Sequence, residues 1–309
     1  MSLAPDQSNQ NRAIQAISRA VELAETGATG IEVVAITDAD LAEVSALDLR
    51  RHLDRMIVAK HADEGLDALL TAGVLDRLMP EVQAMVGFGD GEWRHKDVWK
   101  HTKQVVIQAV PHLNVRWAAL FHDIGKVRTR SFGDNGEVHF FGHEVVGARM
   151  FDKLEKRQRL FSAEESLRES IRFLVLNHLR AGQYDQHWTD SAVRRFHKEI
   201  GEHLNDLLCL SRADITTKRP HKKKAGISKI NQLATRIEEL AAADAWVPPL
   251  PKGVGNELMT KLGLPPSRLL GDIKRALEAA CEAGEIPPHQ ESAFYVTFVE
   301  EHRERFGLK

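Results

Sequence analysis

The sequence predicts an all-α protein. Apolar residues recur at helical spacing along almost the whole chain, with Leu, Ala, Arg and Glu frequent. No segment sustains the alternation of a half-buried strand. Glycine, proline and capping residues interrupt the periodicity where successive helices need ends.

Taken in order, Asn11 to Ala24 reads as a first helix, ended by the glycine-containing stretch Thr26 to Gly30. Ile31 to Ile36 reads as one short extended piece. Thr37 with Asp40 resembles a capping box that opens a helix running to about Ala59. Asp38 and Asp40 form a D-x-D, but without a glycine-rich strand-turn before it the pair reads as capping, not metal ligation. Residues 64 to 79 form an amphipathic helix closed by Pro80, and the cluster Gly87 to Gly91 marks a boundary. The block Trp93 to Thr217 holds the densest apolar helices. It ends at Lys218-Arg219-Pro220-His221-Lys222-Lys223-Lys224, which reads as a solvated linker in preference to a phosphate contact. A helix near 227 to 244 leads into the stiff connector Pro248-Pro249-Leu250-Pro251. Helical stretches follow at Gly255 to Leu262, Pro266 to Ala283 and Gln290 to Phe306.

Composition narrows the function classes. The 309 residues suffice for a substantial core, and 28% charged with 43% hydrophobic residues is an ordinary globular balance. A formal net charge of -2 excludes a strongly basic whole-protein field, so any polyanion site is local. Cys209 and Cys281 form no CxxC pair, which argues against a thiolate zinc site or disulfide framework and points to a reducing cytoplasm. No run approaches the roughly 20 apolar residues of a membrane span, so no membrane partner is expected. The start, Met1 to Arg12, is polar and reads as disordered. Fifteen histidines are many, and position must separate ligands from background.

The helix Asp97 to Val110 buries Val98, Trp99, Thr102, Val105, Val106 and Ala109, with His101 beside that stripe. A lone imidazole there is most often a satisfied core histidine. The element Val115 to Lys126 is apolar nearly all round, so it is central, and it ends in His122-Asp123. A buried, unpaired carboxylate costs several kcal/mol, of the order that transfer and ion-pair arguments give, and a divalent cation removes that cost. Gly125 lets the helix end sharply, and Lys126 projects a cation suited to a phosphate oxygen. The helix Asn205 to Ala213 carries its apolar stripe, Leu207 and Leu210, on to Asp214. By itself Asp214 reads as the partner of an arginine such as Arg212 or Arg180. In company with His101, His122 and Asp123 it reads as a fourth ligand. Nitrogen and oxygen ligands of this kind suit Mn, Fe, Co, Ni, Zn or Mg.

The order His101, His122-Asp123, Asp214 resembles the H…HD…D signature of HD-superfamily metal-dependent phosphohydrolases. More narrowly, Asp97-Val98-Trp99-Lys100-His101-Thr102, Ala118 to Lys126, Phe141-Gly142-His143-Glu144 and Leu174-Val175-Leu176-Asn177-His178 resemble the HD domain of bacterial CCA-adding enzymes, the tRNA nucleotidyltransferases. Upstream, Arg50 to Glu81 resembles that family's helical neck, and Pro248 to Glu285 its C-terminal region. The likeness implies an N-terminal segment at 1–43, partly disordered, a neck-like region at 44–92, an HD domain at 93–217 and a helical C-terminal region at 218–309. The family's nucleotidyltransferase head carries a glycine-rich motif, whereas this sequence has no Gly-Gly pair. CCA addition by this polypeptide alone is therefore not expected.

What the likeness implies is phosphatase, 2′-nucleotidase or 2′,3′-cyclic phosphodiesterase activity on nucleotides or RNA ends. Asp123 would be both ligand and orienter of the attacking water, with Lys126, Arg128, Arg130 and Arg180 offsetting phosphate charge. His178 faces inward, after Leu174 by four and Val175 by three, and His143 opens a helix after Gly142. The two are expected in the active site, as ligands of a second metal, as phosphate contacts or as a general acid. His95 and His139 divide between pocket rim and plain surface. The alternatives are a module that binds tRNA or another RNA around a structural metal, and one subunit of a split nucleotidyltransferase.

Overall fold

A computed structural model describes residues 11–28, 32–89, 97–245 and 247–308, whose regular elements are all helical apart from one small hairpin. The chain divides into two compact units, residues 1–237 and 238–309.

The first unit opens with α1 (Arg12–Thr26), capped by the Asn11 side chain and closed by Gly27 in the left-handed conformation. Residues 32–37 form no regular element, in place of the expected extended piece, although the Ile36 amide donates to the Ala72 carbonyl at 3.0 Å. The helix expected from Thr37 to Ala59 is two helices. The Thr37–Asp40 capping box is present and opens α2 (Asp38–Ala42). Ser45 then caps the Asp48 amide and starts α3 (Ala46–Val58) afresh. Ser45-x-x-Asp48 is itself a capping pattern, and it divides what periodicity alone joins.

The expected helix over 64–79 is likewise divided. α4 (Ala62–Thr71) ends before Gly73, whose φ of 73° only glycine adopts without strain, and α5 (Val74–Leu78) follows. Pro80 begins α6 (Pro80–Gln83) instead of merely closing the preceding helix, because its missing N–H and fixed φ suit a first helical position.

The centre of this unit is α8 (Leu113–Phe121), in which every residue from Val115 to Phe121 is buried. Around it pack α3, α7 (Val98–Gln108), α11 (Glu165–Asn177) and α13 (Leu204–Ala213). α7 buries Val98, Trp99, Thr102, Val105 and Val106, with Ala109 just beyond it. Trp117 and Phe121 stack at 5.8 Å between centroids, and Phe161 meets Trp117 edge-on at 5.2 Å. After α8 come α9 (Lys126–Thr129), the hairpin β1 (Ser131–Phe132) and β2 (Val138–His139), then α10 (His143–Gln158), which packs on α11 and α9. A short 3-10 turn at Ala181–Gln183 and α12 (Asp190–Ile200) lead to α13.

The basic run read as a linker is instead the start of α14 (Pro220–Ala245), again with proline at its opening. The division between the units falls within this helix. The second unit contains α15 (Val254–Leu262), α16 (Arg268–Glu282), α17 (Ser292–Glu301) and a short 3-10 turn at Arg303–Phe306. Leu258, Leu277, Tyr295 and Val299 form its own core, and the Tyr295 hydroxyl donates to the carbonyls of Pro249 and Pro287. Both cysteines are free, and among the described residues no helix is long and apolar enough to cross a membrane.

Candidate metal centre

Four helix ends and one helix interior deliver the polar side chains to one place. His122 stands at the C-terminal end of α8 and His178 at that of α11, where the last carbonyls lack an in-helix donor. Each imidazole uses its Nδ1–H to supply one: His122 donates to the Ala119 carbonyl at 2.8 Å and His178 to the Val175 carbonyl at 2.7 Å. His143, at the start of α10, donates in the same way to the Phe140 carbonyl at 2.7 Å. A carbonyl only accepts, so all three Nδ1 atoms carry hydrogen and the three Nε2 atoms are left to face the centre.

Asp123 lies among them, 1% exposed. Its Oδ2 is 3.2 Å from His122 Nε2, 3.4 Å from His101 Nε2 and 2.6 Å from Lys126 Nζ. Its Oδ1 is 3.4 Å from His143 Nε2 and 4.0 Å from His178 Nε2, yet it has no hydrogen-bond partner. The Nε2 atoms of His143 and His178 are 3.2 Å apart, and those of His101 and His122 are 3.4 Å apart. Asp123 thus belongs to two groups that could each hold a metal ion, His101–His122–Asp123 and Asp123–His143–His178.

Asp214, just past α13, sets its Oδ1 3.0 Å from His101 Nε2 and 3.6 Å from His122 Nε2. Its neighbours are these histidines, not the arginines weighed as partners: Arg212 donates to Asn231, and Arg180 pairs with Glu199. Two residues on, Thr216 Oγ1 lies 2.9 Å from His101 Nδ1. A hydroxyl both donates and accepts, so Thr216 satisfies either tautomer of His101 and fixes its ring. No sequence pattern singled out Thr216. Its signal was only its place two residues beyond a proposed ligand.

The protein's own charges hold this cluster together. Burial works against a proton on His122, but Asp123 and Asp214 overcome it and push its pKa up to about 10. Burial likewise works against ionisation of Asp123, and the neighbouring His122 and Lys126 overcome it, holding the carboxyl well below its usual range. Asp214 is also lowered against the burial that opposes it, by hydrogen bonds from His101 and His122. Burial, reinforced by charge on His122, holds His178 down at about 4.

The donor chemistry fits a divalent cation. A buried carboxylate oxygen without a donor faces the Nε2 atoms of two imidazoles whose Nδ1 atoms already have carbonyl partners, and a cation among the three would satisfy them together. Imidazole and carboxylate together suit the first-row divalent metals.

The other expected site residues lie around this centre. Lys126 is half-buried on Asp123. Arg128 is exposed, and Arg130 donates to the Gly89 carbonyl at 2.7 Å. His139 stacks on Phe141, while His95 lies outside the described residues. Gly125 has an ordinary φ of -66°, so it is not needed for a left-handed turn. A side chain there would fall 2.1 Å from the His143 carbonyl oxygen. Glycine lets the turn after Asp123 press against the start of α10, which brings His143 to the carboxylate.

Comparison with known proteins agrees with this geometry. Residues 98–219 match the HD domain, so the chain carries that domain around the histidine and aspartate cluster. Beyond the domain, the chain is homologous to bacterial tRNA nucleotidyltransferases. It is 32% identical over 259 residues to the A-adding tRNA nucleotidyltransferase of Deinococcus radiodurans, covering 80% of this chain and 57% of the relative. It is 29% identical over 258 residues to the CC-adding tRNA nucleotidyltransferase of Thermus thermophilus, covering 81% and 56%. The Multifunctional CCA protein of Pseudomonas fluorescens is 30% identical over 153 residues, covering 47% and 34%. The chain therefore spans little more than half the length of the first two relatives.

Proposed function

We propose that this chain is a metal-dependent phosphohydrolase acting on nucleotides, 2′,3′-cyclic nucleotides or RNA ends. The observation that carries the reading is the buried Asp123 carboxylate shared between two histidine pairs, with one oxygen lacking any hydrogen-bond partner. His101, His122, Asp123 and Asp214 would hold one divalent cation, and Asp123, His143 and His178 a second. When bound, such cations supply Lewis acidity toward a phosphoryl oxygen and bring the pKa of water down toward roughly 7.

The remaining work falls to the chain. Asp123 joins the two groups and orients the attacking water. His143 and His178 commit Nδ1–H to the Phe140 and Val175 carbonyls and turn Nε2 to the centre, the orientation of a metal ligand, so we assign them as ligands in preference to a general acid. Lys126 adds positive charge next to Asp123, where the phosphoryl group gains charge in the transition state. Arg128 and Arg130 extend that charge outward from α9. Arg180 has to release Glu199 before it can take a phosphate.

A second reading is supported by the relatives, which are named A-adding and CC-adding tRNA nucleotidyltransferases. In it the chain binds tRNA or another RNA, alone or as one subunit of a split nucleotidyltransferase, and the metal is structural. Lys222 and Lys224, exposed on α14, would then contact phosphates, and tRNA binding would fall steeply with salt and with their neutralisation. A panel of phosphoesters offered to the metal-replete protein separates the two. The hydrolase reading predicts phosphate release that Asp123→Ala abolishes while helical circular dichroism persists. No turnover of any ester at full metal occupancy contradicts it.

A further inference from the structure

The segment between the two halves of the metal centre carries aromatic rings that the fold does not bury. Phe141 is 78% exposed and Phe132 62% exposed, the two most exposed phenylalanines among the described residues. Burial would favour both rings, so their exposure marks a surface that gains by being covered. Phe141 does not stand alone. The His139 ring lies parallel to it, 4.9 Å away between centroids and tilted by 16°. Pairing of Ser131 with His139 and Phe132 with Val138 holds this part of the hairpin in a fixed register.

The surroundings say what would cover it. The Arg130 guanidinium lies 4.6 Å from the centre of Phe88 and 5.7 Å from that of Phe132, and Arg128, two residues earlier, is exposed. Lys126 Nζ, which touches Asp123, is 5.7 Å from the centre of Phe140. Phe140 in turn accepts the Nδ1–H of His143 through its carbonyl. Flat aromatic faces, cations and the metal centre are therefore continuous through Phe140, Phe141, Gly142 and His143. Gly142, with φ of 72°, makes the turn that separates the exposed ring from the buried ligand. A purely apolar partner would not need the cations, whereas a ligand combining a π-face with a phosphate uses both.

We infer that Phe141, prestacked on His139, is a platform for one unpaired nucleobase whose phosphoester lies at the metal centre. The base stacks on Phe141, and Lys126, Arg128 and Arg130 face the phosphates. A base within a duplex has both faces covered, so the substrate is a nucleotide or a single-stranded RNA end, not a paired segment. The inference rests on the phosphohydrolase reading for the placement of the phosphate, but stacking itself does not require turnover.

The test uses the metal-replete full chain and a phosphorothioate ribodinucleotide carrying 2-aminopurine, whose fluorescence is quenched on stacking. Wild type should quench it saturably, and Phe141→Ala should weaken binding roughly tenfold, as expected for one lost base–aromatic stack. Phe141→Trp, which keeps an aromatic face, should restore it. Phe141-dependent quenching in a protein that hydrolyses no phosphoester would uphold the platform and sink the hydrolase. Hydrolysis with equal affinity in wild type and Phe141→Ala would overturn the platform alone. So would self-association abolished by Phe141→Ala, which would make this face a contact between copies of the chain.

Discussion

A carboxylate oxygen that is buried and without a donor is expensive, and Asp123 Oδ1 is such an atom. The cost becomes intelligible only with the imidazoles around it, of which His122, His143 and His178 are each oriented by a backbone carbonyl at Nδ1 so that Nε2 faces inward. Gly125 governs how closely the two halves approach. Gly125→Ala would place a methyl 2.1 Å from the His143 carbonyl oxygen, and the turn must shift to relieve it. The expected result is a loss of about 1–3 kcal/mol of stability together with weakened metal binding, read by chemical denaturation and metal titration. A second buried carboxylate lies away from the centre. Glu155 accepts the Phe161 amide through Oε2, while its Oε1 has no partner, and burial raises its pKa above 4.5 despite that hydrogen bond. The folded state therefore holds its proton at pH values where the unfolded state has released it. Stability contributed by this group is present at low pH and is lost as pH rises above 4.5 through the raised value. Between acidic and neutral pH, with metal chelated, Glu155→Gln should gain stability relative to wild type. A difference between the two that does not change with pH would contradict this.

Helices at this scale were readable where periodicity and capping agree, as in α7, whose buried stripe follows the 3.6-residue repeat. They were misread where a capping residue falls inside a continuous pattern: Ser45 splits one expected helix, and Pro80 and Pro220 open helices at places taken for an end or a linker. The hairpin's two-residue strands are too short to show alternation, so nothing in the pattern set them apart. Arg116 was also not legible, because its partners are main-chain carbonyls brought to it by tertiary packing. From α8 it donates to the carbonyls of Ala109 and Val110, just after α7, and of Ile57 and Ala59, at the end of α3. One buried guanidinium thus ties three helix ends together. Arg116→Ala leaves those carbonyls without their donor, and a loss on the order of 3 kcal/mol or more is expected. Urea denaturation measures it, and a change below about 0.5 kcal/mol, the usual range for a neutral surface substitution, would show that water replaces the arginine at no cost.

Across the whole molecule, the proposed ligands on α7, α8, α10, α11 and the end of α13 gather around one carboxylate, so residues as distant in sequence as His101 and Asp214 would depend on one another. Residue types and order made His101, His122, Asp123 and Asp214 legible as a set. That Asp123 serves two histidine pairs was not legible, since it depends on where α10 and α11 pack. A cation bridging these elements stabilises the folded chain by mass action, about 2.7 kcal/mol at a hundredfold excess over its dissociation constant. Chelation should therefore lower the melting temperature of the wild type, and of Asp123→Ala far less. The most direct measurement combines metal content per chain with phosphoester turnover, in wild type, His178→Ala and Asp123→Ala. The shared-carboxylate centre predicts two divalent ions in wild type, one in His178→Ala and none held tightly in Asp123→Ala, with turnover lost in the last. Wild-type protein that binds no divalent ion, or turnover that survives Asp123→Ala, would contradict it.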